Sequence, residues 1–170
     1  LSGFFRIIIF LFACLIFCCE AKAGETLCEA RYVTIHGDSL SPLVRSGDRI
    51  LMKPASCVKH IKRGMPVVFK TGAHKRPVIK IVRGIPGDNF ALEEGNIFVN
   101  GGKLKNSAGQ DYSLDSSRAS LLFLYERDYG GLIPGHTYLL LGDKVRGALD
   151  SSRIGFVHEN DIIMAGEVNN

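Results

Sequence analysis

Val78-Ile79-Lys80-Ile81-Val82-Arg83-Gly84-Ile85-Pro86-Gly87-Asp88 is a β-branched apolar run with one lysine in its middle and a sharp turn at its end. Val and Ile in unbroken succession favour a strand, and Gly84, Pro86 and Gly87 bend the chain directly after it. A lysine in such a run has two explanations. On an edge strand its charge discourages pairing with another chain. In an interior strand, apolar neighbours penalise the charged form, and lowering a lysine pKa from about 10.4 by about 2 units costs that form about 2.7 kcal/mol. Lys53, Lys59, Lys62, Lys70, Lys75, Lys103 and Lys105 lie near turns or polar groups and lack this setting.

About 40 residues upstream stands Gly37-Asp38-Ser39-Leu40-Ser41-Pro42. Alone, Gly-Asp-Ser reads as a turn. A serine hydroxyl becomes a useful nucleophile only beside a base, and a neutral lysine amine can serve where histidine does not. His36 is close to Ser39 in sequence, while His60, His74, His136 and His158 sit in polar or turn-like settings without a motif. Ser39 with Lys80 is therefore the better pair.

In order and spacing these two stretches, with Leu141-Gly142-Asp143 and Asp150-Ser151-Ser152-Arg153-Ile154-Gly155-Phe156-Val157, resemble the boxes of bacterial type I signal peptidases. Those enzymes are Ser/Lys endopeptidases that cut exported proteins at the membrane. The resemblance runs from Ile35 to Val157. It implies Ser39 as nucleophile and, through its backbone N–H, as oxyanion donor, Lys80 as general base, and Asp150 as a structural acid beside them. It places Ile35, Val44 and Ile79, with Leu40 and Ser41 beside them, around shallow apolar subsites that take small side chains before the cut. No metal or cofactor enters this chemistry.

The departures from the pattern are informative. Leu40 stands where the family usually has Met, and Gly37 where some members carry a serine that helps hold the oxyanion, so the second donor is open. Ile81 and Ser152 stand where arginines commonly flank the aspartate, so Asp150 is expected to find another partner in Arg83 or Arg153. Ala148 replaces a serine that would contact the lysine amine, and Lys144 replaces an asparagine. Such divergence resembles the branch encoded with conjugation or type IV secretion systems, which matures pilins; a housekeeping enzyme is the other possibility. The partners implied are exported precursors or pilins and the membrane. From a different class, the chain could be a catalytically silent, membrane-tethered β scaffold of an export or conjugation complex.

Around these motifs the pattern is short strands with turn punctuation, at 32–35, 49–52, 66–70, 77–82, 89–92, 96–99, 137–141 and 162–168. The fold class expected is all-β, a signal-peptidase-like domain over residues 24–170 behind an N-terminal leader or anchor over 1–23. Glu93-Glu94-Gly95 links two strands, and Asn100-Gly101 is the dipeptide of a type I′ turn, folding 96–99 back onto 103–105. Residues 106–117, rich in Gly, Gln, Asp and Ser, read as a surface loop.

With 170 residues, 46% of them hydrophobic, one core is affordable and two are not. The net charge of +4 comes without a basic stripe, so nucleic acid is a poor partner. Of five cysteines, Cys14, Cys18 and Cys19 fall in the apolar leader. Cys28 and Cys57 remain, either bridged across a loop of about 30 residues and worth roughly 3 to 4 kcal/mol, or two separate thiols. The apolar run after Arg6 is roughly 13 residues, short of the roughly 20 of a spanning helix. It fits a signal-peptide core, cut after Ala21-Lys22-Ala23, or a short anchor. Arg6 before it and Glu20, Glu25 and Glu29 after it put the following domain outside the cytoplasm. The expected place is the bacterial inner membrane with a periplasmic catalytic domain, or the periplasm itself if the leader is removed.

Overall fold

The computed structural model describes residues 28–72 and 74–168, so the leader expected over 1–23 lies outside the described residues. The chain runs β1 (Arg31–Thr34), β2 (Arg49–Pro54), β3 (Pro66–Thr71), β4 (His74–Gly84), β5 (Phe90–Glu93), β6 (Asn96–Val99), β7 (Gly102–Lys103), α1 (Ser116–Asp128), β8 (Thr137–Leu141), α2 (Ser151–Ile154), β9 (Val157–His158) and β10 (Ile162–Gly166). Seven strands form one sheet in the order β1-β2-β10-β3-β4-β8-β9, and β5-β6-β7 form a second of three. Every pairing is antiparallel.

The apolar run around Lys80 becomes β4, the longest strand, held between β3 and β8. Lys80 is therefore no edge-strand charge; it faces Val67 across the β3 register. Gly84 ends the strand where a side chain would not fit, since a Cβ there would lie 2.3 Å from Ile133 Cδ1. The turn beyond it is tied by Asp88, a buried carboxylate that accepts from the Ile85 amide, Asn100 and the Arg63 guanidinium. Burial opposes ionisation of Asp88, but those donors outweigh it and hold its pKa below the usual carboxylate value.

Asn100 and Gly101 both have positive φ, 53° and 76°, and join β6 to β7 as the I′ turn expected of them. Glu94 and Gly95 repeat the device between β5 and β6, at φ 50° and 78°. Three apolar clusters fill the interior. One joins the small sheet to α1 around Phe90, Ile97, Tyr112, Leu122 and Ile133. A second lies around Val67, Phe69, Val82 and Leu140. The third packs Ile35, Leu40 and Val44 against Met52, Ile81 and Met164.

Two expectations need correction. The fold is mostly β rather than all β, because α1 spans 13 residues. Asp115 caps it by accepting from the Arg118 amide, and Arg118 and Leu122 form its buried face. Its four consecutive apolar residues, Leu121 to Leu124, spread round the helix instead of lining one stripe; Phe123 and Leu124 are exposed. That arrangement hides the 3.6-residue period that marks a helix in sequence. Nor is 106–117 merely a surface loop: Asn106, Tyr112 and Leu114 are buried in it, so its polar composition belongs partly to an internal hydrogen-bond network.

Cys28 and Cys57 are bridged, with Cα atoms 5.5 Å apart. The bridge pins the start of the described chain to the turn after β2. No described helix is long and apolar enough to cross a membrane.

Candidate active site

Ser39 sits on a tight turn between β1 and β2. The turn is closed by Ser41 N donating to Asp38 O at 2.9 Å and Val44 N to Leu40 O at 2.9 Å. Leu40 and Val44 project from it into the third apolar cluster, so core packing holds the turn from below. Gly37 makes the approach at φ 82°, a conformation that suits glycine.

The far side of the turn rests on the segment after β8. A Cβ on Gly142 would come within 2.6 Å of Ser39 O, so only glycine permits this approach. The Lys144 amide donates to Ser39 O at 3.2 Å, and the Lys144 ammonium pairs with Asp38 at 2.5 Å on the surface. That pairing lowers the Asp38 pKa.

Into this frame β4 brings Lys80, whose residue is 2% exposed. Its Nζ lies 3.0 Å from Ser39 Oγ and donates to Ile79 O at 2.8 Å. Burial drives the lysine pKa down, and the charge of Asp150 acts in the opposite direction. The amine thus has a carbonyl to fix one hydrogen and the serine oxygen within reach. In the neutral form the same contact lets the hydroxyl donate to the amine lone pair. Ala148 is buried near Gly142 and supplies no hydroxyl to the amine; the Ile79 carbonyl orients it instead. The Ser39 N–H makes no backbone hydrogen bond among the described residues. The Gly37 N–H donates to Ser46 Oγ at 3.2 Å, and no side-chain donor comes from Gly37 itself.

Asp150 caps α2, accepting from Ser152 N at 3.1 Å, Ser152 Oγ at 2.6 Å and Gly142 N at 3.2 Å. Its cationic partner is neither Arg83 nor Arg153, as the sequence led us to expect, but Arg118 of α1, 3.6 Å away. Arg118 Nε also donates to Ser152 Oγ at 2.7 Å. Arg83 is engaged elsewhere, at 2.6 Å from Asp143, while Arg153 is exposed. A helix invisible in the sequence pattern supplies the compensating charge, which is why Arg118 escaped notice.

Asp143, quoted in the Leu141-Gly142-Asp143 box but given no role from the sequence, is a hub of this region. It is fully buried and accepts from Arg83, from Ser107 N at 3.0 Å and Oγ at 2.5 Å, and from Leu43 N at 3.0 Å. Tyr112, whose pKa burial pushes up to about 12, donates from its hydroxyl to Gly142 O at 2.7 Å. This network joins the Ser39 turn, β4 and the 106–114 loop. Of the expected subsite residues, Ile35, Leu40 and Val44 are almost wholly enclosed, whereas Ser41 and Ile79 are partly open.

A family model described as "Signal peptidase, peptidase S26" matches residues 4–169. The chain is 26% identical over 137 residues to signal peptidase I P of Bacillus subtilis subsp. natto, covering 79% of this chain and 73% of that protein. It is 32% identical over 143 residues to a probable signal peptidase I-2 of Synechocystis, covering 79% of this chain and 59% of that protein. A crystal structure of a signal peptidase I from Enterococcus faecalis superposes with a TM-score of 0.46 at 23% identity, over 62% of this chain and 95% of that one. The family model spans nearly the whole chain, including both sides of the Ser39 to Lys80 contact, and the chain belongs to the signal peptidase family, peptidase S26.

Proposed function

We propose that this protein is a serine endopeptidase that removes leader peptides from exported precursors, with Ser39 as nucleophile and Lys80 as general base. The observation that carries the reading is the 3.0 Å contact between Ser39 Oγ and a lysine amine that is 2% exposed and pinned by a main-chain carbonyl.

The chemistry follows from that contact. Neutral Lys80 takes the hydroxyl proton as Ser39 Oγ attacks the scissile carbonyl, and the Ser39 N–H donates to the oxygen that gains charge. The lysine ammonium then gives its proton to the leaving amine, and the acyl-enzyme forms. Neutral again, Lys80 takes a proton from water as that water attacks the ester carbonyl, and returns it to Ser39 Oγ as the bond from that oxygen to the acyl carbon breaks and the acid leaves.

Ile35, Leu40 and Val44 form the packed floor of the substrate cleft, and the partly buried Ile79, Leu43, Val68 and Val168 form its accessible wall. A floor already filled by side chains leaves room for small substituents only. Precursors with Ala at the first and third positions before the cut are the substrates, pilins of a conjugation system among them. The chain acts at the membrane, and the Cys28–Cys57 bridge ties the first described residue to the turn after β2.

Synthetic precursors test this. Replacing Ala by Phe at either position should lower kcat/KM by about 10- to 200-fold, the cost of roughly 1 to 3 kcal/mol for forcing bulk into packed atoms. Equal rates for both peptides would refute the cleft assignment. Absence of cleavage of any precursor would refute the activity and favour the scaffold.

A further inference from the structure

Arg118 is an unusual residue for the buried face of a helix. Its side chain is 7% exposed and reaches out of α1 into a site built by other elements. A guanidinium so enclosed carries a desolvation cost that a partner must offset. The partners here are Ser152 Oγ at 2.7 Å and Asp150 Oδ1 at 3.6 Å. The Ser152 hydroxyl in turn donates to Asp150 Oδ1 at 2.6 Å, so arginine, serine and aspartate form a short hydrogen-bonded chain. Asp150 in turn is the charge that acts on Lys80.

We propose that Arg118 is a positioning residue of this site: from α1 it fixes Ser152 and balances the Asp150 charge, so that Asp150 can anchor the chain beside Lys80 without holding the lysine in its protonated form. The proposal rests on the Ser39/Lys80 reading and deepens it.

The electrostatics are simple. A buried carboxylate near Lys80 favours the ammonium, which cannot act as a base, whereas burial favours the amine. The other groups packed around Asp150 do not take the place of Arg118. Tyr112 is a neutral phenol bonded to Gly142 O. Arg83 from β4 is paired with Asp143, and that pair is internally balanced. Ser152 and the Gly142 amide donate hydrogen bonds without carrying charge. Arg146 and Arg153 line the same pocket as Arg118 but are exposed, so with Arg118 gone the Asp150 charge acts on Lys80 less compensated, and Lys80 retains its proton to higher pH.

The test is the pH profile of kcat/KM for the whole protein and for Arg118→Gln and Arg118→Lys, with thermal unfolding of each. Gln keeps a hydrogen-bond donor for Ser152 and removes the charge; Lys keeps the charge and loses the planar fork. Arg118→Gln should move the acidic limb upward, with about a tenfold loss of rate on that limb and little loss on the alkaline plateau. Arg118→Lys should restore most of the limb. Uniform loss at every pH in both variants would show a merely structural role and overturn the proposal, as would an unmoved limb in Arg118→Gln. A wild-type profile without any Lys80-dependent limb would instead remove the catalytic reading beneath it, and the proposal with it.

Discussion

Ser39→Ala and Lys80→Met each remove precursor cleavage, with kcat/KM falling by about 10³-fold or more, while the fold persists. Ser39 is half-enclosed on a turn held by the bonds of its neighbours, so losing one hydroxyl leaves Asp38 to Val44 in place. Met matches the lysine stem in volume and makes no demand for a partner in the cluster of apolar side chains. Lys80→Arg should fail as well, because guanidinium stays protonated and cannot accept the serine proton. The sign of the stability effect separates this lysine from an ordinary one. Burial depresses its native pKa, so between that value and the 10.5 of a free lysine the unfolded chain binds more protons than the native one. Native stability therefore rises with pH across that window, and below it the penalty is fully present. Lys80→Met should be more stable than wild type at neutral pH, with the gap closing as pH approaches 10.5. Denaturant midpoints measured across that range check it. Residual turnover at the wild-type rate in either variant, or an acidic limb that disappears on replacing exposed His36, would sink the assignment.

The strands and the Ser39/Lys80 pair were legible in the sequence for local reasons. A β-branched run announces β4 whatever it packs against, and the φ values of Asn100 and Gly101 follow from their own residue types. Catalytic chemistry restricts which residues can be paired, so a serine and an apolar-flanked lysine 41 positions apart were matched without knowing the fold. The missed features share the opposite property. Asp143 meets partners 36, 60 and 100 positions away, and Arg118 meets Ser152 across 34. No local pattern distinguishes a buried aspartate from one in a turn, and Gly142-Asp143 has the composition of a turn. The helix carrying Arg118 was hidden by an apolar block in its middle, although the Asp115 cap and the Gly130-Gly131 stop were present as signals. The partner of Asp150 was misjudged for the same reason: Arg83 and Arg153 both lie within the quoted motifs, but the arginine that reaches it comes from an element the motifs do not contain.

Asp143→Ala should be the most damaging change outside the proposed Ser39/Lys80 pair, costing about 3 to 5 kcal/mol of stability. The carboxylate is fully buried and satisfies four donors, three of them on segments that no strand pairing joins to it. Arg83 then loses its carboxylate while its side chain stays 17% exposed, and its Nε already lacks a partner among the described residues. An uncompensated, poorly hydrated guanidinium is the main cost, and the orphaned Ser107 and Leu43 amides add to it. Removing the arginine as well takes away that main cost. The double variant Asp143→Ala/Arg83→Met should therefore be destabilised by less than the sum of its parts, a coupling measurable by denaturant unfolding of all four proteins. A loss under about 1 kcal/mol for Asp143→Ala, the range of exposed ion pairs, would contradict its role as a buried hub. Activity supplies the second readout. Leu43 N is held by Asp143 Oδ2 on the same turn that carries Ser39, so the single variant should lose rate even at temperatures where it remains folded. The double variant lacks the same acceptor and should lose that rate too, because relieving the stranded charge restores stability but does not restore the bond that seats the nucleophile.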